Sequence, residues 1–125
     1  MKIVDTTIAV DHLRGTPAAT ELLAGLISEG ETVVASEITR FELLAGVRQA
    51  ELEDLEVFFT SLVWAPIEEE ITRAAGTLAR RLRRSHGGID DADYLIAATA
   101  MVLDADLLTT NVRHFPMIRG LRAPY

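Results

Sequence analysis

The segment Lys2-Ile3-Val4-Asp5-Thr6-Thr7 starts with a short apolar run that ends at a carboxylate. Ile3 and Val4 predict a buried β-strand, and the residues from about Thr7 to Leu13 predict a helix directly after it. A short buried strand followed at once by a helix is typical of α/β folds with parallel strands. Asp5 therefore stands at the carboxyl end of a strand, which is where α/β sheets bind ligands.

The same alternation continues along the chain. Further strands are predicted at residues 32–35, 62–65, 106–109 and 121–123. Helices are predicted at about residues 17–28, 37–46, 51–61, 68–84 and 91–103, with a helical turn at 113–115. We therefore expect one α/β domain over residues 1–125, with a short, mostly parallel sheet of four to five strands flanked by helices.

Composition narrows the classes of function. The chain has 125 residues, no cysteine and three histidines, so thiolate sites are excluded and a zinc site is poorly supplied. The 19 Asp and Glu side chains suit a hard, oxygen-preferring cation. No apolar run approaches the roughly 20 residues of a membrane span, and no signal-peptide pattern is present. We expect a cytoplasmic protein that makes no membrane contact.

Two further carboxylates stand in apolar surroundings. Glu42 lies inside the run Thr39-Arg40-Phe41-Glu42-Leu43-Leu44-Ala45-Gly46, and Asp93 begins the run Asp93-Tyr94-Leu95-Ile96-Ala97-Ala98-Thr99-Ala100. Helical spacing places Asp93 on the face of Ile96, Ala97 and Ala100, which should be buried. Carboxylates held against a core are costly unless a cation or hydrogen-bond donors compensate them. Together with Asp5, these residues predict a single divalent-metal site.

Each carboxylate also has an ordinary structural explanation. Asp93 would interact favourably with the positive end of its helix dipole. Glu42 would pair with Arg40 or Arg48, although both lie far from it around the helix, or would stand at the rim of the core. Asp5 would close a turn by accepting backbone N–H groups. The sequence alone leaves these explanations open.

Four segments resemble the PIN domain, specifically the VapC-type toxin ribonucleases of bacterial toxin–antitoxin pairs. They span nearly the whole chain, in the order and spacing of that family. The first is Ile3-Val4-Asp5-Thr6-Thr7 with Asp11-His12-Leu13-Arg14-Gly15. The second and third are the runs that contain Glu42 and Asp93. The last is Leu108-Thr109-Thr110-Asn111-Val112-Arg113-His114-Phe115.

The resemblance implies a PIN-like three-layer sandwich with a metal-dependent active site. Asp5, Glu42 and Asp93 match the acidic triad that binds Mg²⁺ or Mn²⁺. Asn111 matches a position where many PIN domains carry a fourth carboxylate, and its neutral amide removes one charge from the site. The number of bound metals, one or two, therefore stays open. Thr7 is expected to hold a metal-bound water, and Asp91 is expected either to support Asp93 or to cap its helix.

The resemblance also implies the activity and the partners. A metal held by carboxylates activates water and offsets charge on phosphate, which predicts endonucleolytic hydrolysis of RNA. Arg80 and Arg84, on a predicted arginine-rich helix face, and Arg113 and His114, close to Asn111, are the expected RNA contacts. For the two arginines of the helix, a solvated surface is the ordinary alternative. Family members pair with a cognate VapB-like antitoxin and form homodimers, and the apolar Phe58-Phe59 pair suggests such a subunit interface.

Three other functions are alternatives to the nuclease for this sequence. A PIN-like module with weak or no catalysis, which acts through its antitoxin complex, is the main alternative. A receiver-like phosphoacceptor domain needs a lysine after a late strand, whereas the only lysine is Lys2. A Rossmann module needs a glycine-rich loop after the first strand, and none is present.

Overall fold

The computed structural model describes residues 1–125 and contains one four-stranded sheet. Its strands are β1 (Lys2–Val4), β2 (Val33–Ser36), β3 (Val63–Ala65) and β4 (Asp106–Leu108). They lie in the order β3-β2-β1-β4, and every neighbouring pair is parallel. Ile3 of β1 pairs with Val34 on one side and Leu107 on the other. The predicted parallel sheet is confirmed, with four strands.

Six helices connect the strands, and their bounds lie within a few residues of those predicted. They are α1 (Thr6–Leu13), α2 (Pro17–Ser28), α3 (Glu37–Gly46), α4 (Leu52–Phe59), α5 (Glu69–Leu82) and α6 (Asp91–Leu103). Two short 3₁₀ turns cover Gln49–Glu51 and Val112–His114. None of the helices is long and apolar enough to cross a membrane.

The fifth strand expected at residues 121–123 is wrong, because this segment has irregular structure. Gly120 turns the chain with a φ of 73°, and Pro124 lacks the N–H group that a strand would use for pairing. Leu121 instead packs its side chain against the main core. Leu121 thus contributes to the core without backbone pairing, while Arg122 and Ala123 are exposed.

The sheet separates two apolar cores, because successive strand side chains point to opposite faces. Ile3 and Val34 face the core that α5 and α6 cover. Val4 and Val33 face the opposite core, which contains Ile8 of α1 and Leu23 of α2. This arrangement of helices, sheet and helices is the expected three-layer sandwich.

Helix α6 is the most deeply buried helix and carries one of the predicted site residues. Ile96 is 1% exposed and Ala97 is fully buried, as the helical spacing predicted. Asp90 caps the helix by accepting the Asp93 N–H, and the Asp93 side chain accepts the Asp90 N–H in return. This capping box fixes the position of Asp93 at the first turn.

Both rings of Phe58-Phe59 pack within the chain, and a subunit interface at this pair stays a prediction. Phe59 is 3% exposed and packs edge-on against Trp64. Phe58 stacks against His12 with a centroid distance of 4.9 Å. The exposed apolar side chains of this region are instead Phe41 and Val57, at 64% and 65% exposure.

Candidate active site

A pocket of about 350 Å³ opens at the carboxyl edge of the sheet and is almost entirely polar. Asp5 enters it directly after β1, Glu42 from α3 and Asp93 from the first turn of α6. The other lining residues are Thr6, Thr7, Val10, Asp11, Arg14, Asp90, Thr110, Asn111 and His114. The fold therefore brings together the three carboxylates that the sequence placed far apart.

Asp5 is 3% exposed, and hydroxyl and amide donors hold its carboxylate. Its Oδ1 accepts the Thr6 N–H at 2.8 Å, which caps α1. Its Oδ2 accepts the hydroxyls of Thr7 at 3.0 Å and Thr109 at 2.6 Å. Thr109 reaches Asp5 because β1 and β4 are neighbours in the sheet. Asp5 thus fulfils the expected turn role and also faces the pocket, and Thr7 lies beside it as predicted.

Glu42 is half-buried and makes no ion pair, so the pairing with Arg40 or Arg48 is excluded. Arg40 pairs with Glu37 and stacks 3.9 Å from the Trp64 ring centroid. Arg48 pairs with Glu51 at 2.9 Å. The Oε1 atom of Glu42 instead accepts the Thr6 hydroxyl at 2.8 Å.

Burial is the main cause of a raised pKa at Glu42. The negative charges of Asp90 and Asp5 act in the same direction, whereas the hydrogen bond from Thr6 opposes them. A cation in the pocket would offset this repulsion among carboxylates.

Asp93 has the most strongly perturbed carboxylate of the pocket. Burial, with the charges of Asp90 and Asp5, raises its pKa from 3.8 to about 6, while the Asp90 N–H and His114 act in the opposite direction. The favourable helix dipole expected from the sequence does not compensate for the loss of water. An ionised Asp93 is therefore destabilising unless another positive charge approaches it.

His114 lies between two predicted site residues. Its Nδ1 is 3.0 Å from Asp93 Oδ2 and 2.8 Å from the Asn111 amide. The Asn111 contact comes from its Nδ2 atom, and a ring nitrogen carries either one proton or one lone pair. A protonated Nδ1 donates to Asp93, whereas an unprotonated Nδ1 accepts from the Asn111 amide, so the two neighbours compete for this atom. Asn111 and His114 thus extend the site from the loop after β4.

Asp91, which the sequence proposed as a support for Asp93, lies outside the pocket. Its side chain is 88% exposed and accepts a hydrogen bond from Arg83 at 2.8 Å. Asp90 occupies the pocket in its place, since successive residues at a helix start point in different directions. Arg80, Arg84 and Arg113 are also outside the residues that line the pocket.

Sequence reasoning missed three contributors to the site. Thr109 lies within the strand predicted at residues 106–109, and Asp90 is not among the predicted site residues. Arg14 lines the pocket from the end of α1. It lay within a segment that resembles the family, but nothing in its spacing pointed to the pocket.

The donors of the pocket fit a hard divalent cation, although they are not assembled around one. Glu42 Oε2 and Asp93 Oδ1 accept no hydrogen bond, and oxygen atoms are the ligands that Mg²⁺ prefers. No group of three or more histidine or acidic side chains is arranged to hold a metal.

The raised pKa of Asp93 predicts a stability cost at neutral pH. Because the folded protein binds this proton more tightly than the unfolded chain does, stability should fall as pH rises from about 4 to about 6. In EDTA, we expect Asp93→Asn to raise the free energy of unfolding at pH 8, with the gain vanishing near pH 4. Urea unfolding at both values tests this. An equal gain from Asp91→Asn would contradict the assignment to Asp93.

Lys2 lies at the opposite edge of the sheet from the pocket. It begins β1, and its Nζ pairs with Asp106 Oδ2 at 2.8 Å at the start of β4. A receiver-like site would need this cation among the carboxylates. Its position removes that alternative.

Comparisons with known proteins agree with this fold. The sequence matches the PIN domain over residues 2–120, and the chain therefore belongs to the PIN-domain family. Ribonuclease VapC19 of Mycobacterium tuberculosis is 67% identical, with all 125 residues of both chains covered. Ribonuclease VapC10 of the same organism is 42% identical over the whole of this chain and 93% of its own.

Solved structures give the same architecture. The chain superposes with a TM-score of 0.82 on VapBC2 from Rickettsia felis, a structure bound to a DNA fragment from their promoter. The two sequences are 26% identical, and the match covers 98% of this chain and 96% of the other. A toxin–antitoxin complex from Klebsiella pneumoniae, at 23% identity and a TM-score of 0.82, shows the same fold.

Proposed function

We propose that this protein is an endoribonuclease toxin of a toxin–antitoxin pair, which hydrolyses RNA with Mg²⁺ or Mn²⁺. The convergence of Asp5, Glu42 and Asp93 in one polar pocket of a PIN-domain chain carries this proposal. The names of the VapC relatives support the ribonuclease activity. The metal is inferred from the oxygen donors and from the repulsion that a cation would relieve.

The residues of the chain would divide the work as follows. Asp5, Glu42 and Asp93 would hold the metal, which when bound supplies an activated water and offsets charge on the phosphate. Hydroxyl groups of Thr6, Thr7 and Thr109 fix the orientations of two of these carboxylates. Such outer hydrogen bonds keep ligands in place and limit rearrangement during the reaction. No histidine or serine nucleophile is required.

The RNA contacts named from the sequence stay predictions. His114 faces the pocket, whereas Arg113 is exposed beside it. Arg80 and Arg84 lie at the end of α5 or just after it. The Arg83–Asp91 pair joins that end of α5 to the start of α6. Phosphates outside the pocket would therefore find these arginines near the helix that carries Asp93.

A VapB-like antitoxin is the expected partner. Beside the polar pocket lies a groove of about 370 Å³ that shares Val10, Arg14 and Glu42 with it. Leu13, Leu43 and Leu55 give the groove an apolar part, and Glu51 and Asp54 also line it. An apolar antitoxin segment would fit there and place a basic side chain over the carboxylates. Homodimer formation also stays a prediction, for which exposed Phe41 and Val57 are the available apolar surface.

Metal removal tests the proposal. Antitoxin-free protein, incubated with total bacterial RNA, should release discrete fragments in Mg²⁺ or Mn²⁺ and none in EDTA. Adding metal back should restore cleavage, and Asp5→Asn protein should remain inactive throughout. Absence of cleavage by folded protein, with no thermal shift on adding metal, would instead support the binding module.

A further inference from the structure

Arg14 is the only lysine or arginine side chain that lines the acidic pocket. It faces five carboxylates of the lining set, namely Asp5, Asp11, Glu42, Asp90 and Asp93. It also lines the adjacent apolar groove, so it stands where the two depressions meet. An arginine surrounded by carboxylates is expected to form an ion pair with one of them.

Arg14 nevertheless makes no salt bridge and no side-chain hydrogen bond. Its nearest acid along α1 is Asp11, three residues earlier and therefore on the same side of the helix. The Asp11 carboxylate instead accepts the Tyr125 hydroxyl at 2.6 Å. Tyr125 of the C-terminal segment thus binds the carboxylate that would otherwise neutralise Arg14. The Arg14 guanidinium remains exposed and without a hydrogen-bond partner.

We propose that Arg14 binds a backbone phosphate of the RNA strand at the mouth of the pocket, where the pocket and the groove meet. This inference rests on the proposed nuclease function and adds a substrate-binding residue to it. A guanidinium offers paired N–H donors that match phosphate oxygens, and its charge is independent of pH in the working range. The carboxylates repel RNA, so a fixed cation at the entrance would steer the strand toward the reacting edge.

A phosphate is favoured over an acidic group of a protein partner by the surroundings of Arg14. Arg14 lies among the side chains that line the pocket with the three carboxylates. The phosphates next to the cleaved bond must come to this pocket in any RNA substrate, whatever its sequence. The other free arginines, such as Arg119, lie outside the lining of the pocket and have no such position. Contact with the antitoxin alone is the competing outcome that the experiment must separate.

The test compares Arg14→Gln and Arg14→Lys with Arg119→Gln, which removes an equally exposed, unpaired arginine outside the pocket. Binding of a fluorescently labelled single-stranded RNA of mixed sequence is measured by anisotropy in Asp5→Asn protein over a range of KCl concentrations. The same three substitutions are also made in the active protein, which keeps Asp5. Their rates of total-RNA cleavage are then measured at limiting and at saturating RNA.

We expect Arg14→Gln to weaken RNA binding about tenfold, as for loss of one charged hydrogen-bonding contact. The slope of log K against log salt should decrease by about 0.7, the share of one phosphate on a single strand. Arg14→Lys should recover part of the affinity and the whole slope. Cleavage by Arg14→Gln should fall at limiting RNA and much less at saturation, whereas Arg119→Gln should match the wild type.

Unchanged affinity and salt slope in Arg14→Gln would overturn the assignment, even with the nuclease activity intact. So would a variant that binds and cleaves RNA normally and loses only inhibition by the co-purified antitoxin. Failure of the nuclease proposal has a different signature, since wild-type protein would then not cleave RNA in any metal. The anisotropy measurement would still decide whether Arg14 contacts phosphate.

Discussion

Replacing Asp93 with Asn is expected to lower the rate of RNA cleavage at least about a hundredfold, or about 2.7 kcal/mol of transition-state stabilisation. The amide keeps an oxygen that can accept the Asp90 N–H, so the capping box and α6 should persist. What is lost is the negative charge that would hold the metal, in a pocket where Asp93 lacks a permanent cationic partner. Fragment yield from total RNA over time is the measurement.

Asp91→Asn is the matched control for this experiment. It removes one carboxylate from the same helix turn, but that side chain points to solvent and pairs with Arg83. Exposed pairs contribute about 0–1 kcal/mol, so neither folding nor cleavage should change appreciably. Equal loss of activity in both variants would show that general acidity, rather than the pocket, supports cleavage.

Ile96→Ala is expected to destabilise the fold by about 2–5 kcal/mol, a large part of the roughly 5–15 kcal/mol that stabilises a domain. Ile96 is 1% exposed and lies one turn after Asp93, against the core shared by α5 and the sheet. The substitution removes buried methyl and methylene groups and leaves a cavity that the rigid sheet cannot fill. Urea unfolding monitored by circular dichroism gives the free energy of unfolding.

Ile27→Ala makes the same substitution near the end of α2, where the side chain is 50% exposed. Helix propensity changes equally at both sites, so the difference between the variants isolates burial. We expect Ile27→Ala to cost less than about 1 kcal/mol. A similar cost at both positions would contradict the burial of α6 between sheet and α5.

The parts of the structure that could be predicted are those set by residue type and by spacing within one element. The strand Ile3-Val4, the helix predicted at residues 37–46 and the apolar face of α6 follow from residue types and short spacings, and the structure has all of them. Residues 121–123 were also predicted as a strand, but Arg122 and Ala123 are exposed and the segment forms none. Pairing depends on a free sheet edge and on backbone N–H groups, which side-chain hydropathy does not report.

The site residues likewise fall into those that the sequence predicted and those that it did not. Asp5, Glu42, Asp93, Asn111, Thr7 and His114 were predicted from the sequence and lie in one pocket. Asp91 was predicted with them and lies outside, because a difference of one residue turns a helical side chain by about 100°. Asp90, Thr109 and Arg14 enter the site through neighbouring strands and helix ends that no local pattern relates to one another.

The sequence by itself determined the alternation of strands and helices, the absence of thiolate chemistry and the identity of the acidic residues. These depend on side-chain type and on spacing within one element. Tertiary structure decided which carboxylates share the pocket, which arginine lines it with them and which carboxylate binds the Tyr125 hydroxyl. Those relations join residues up to 114 positions apart, and only the order of the strands and the packing of helices against them sets such distances.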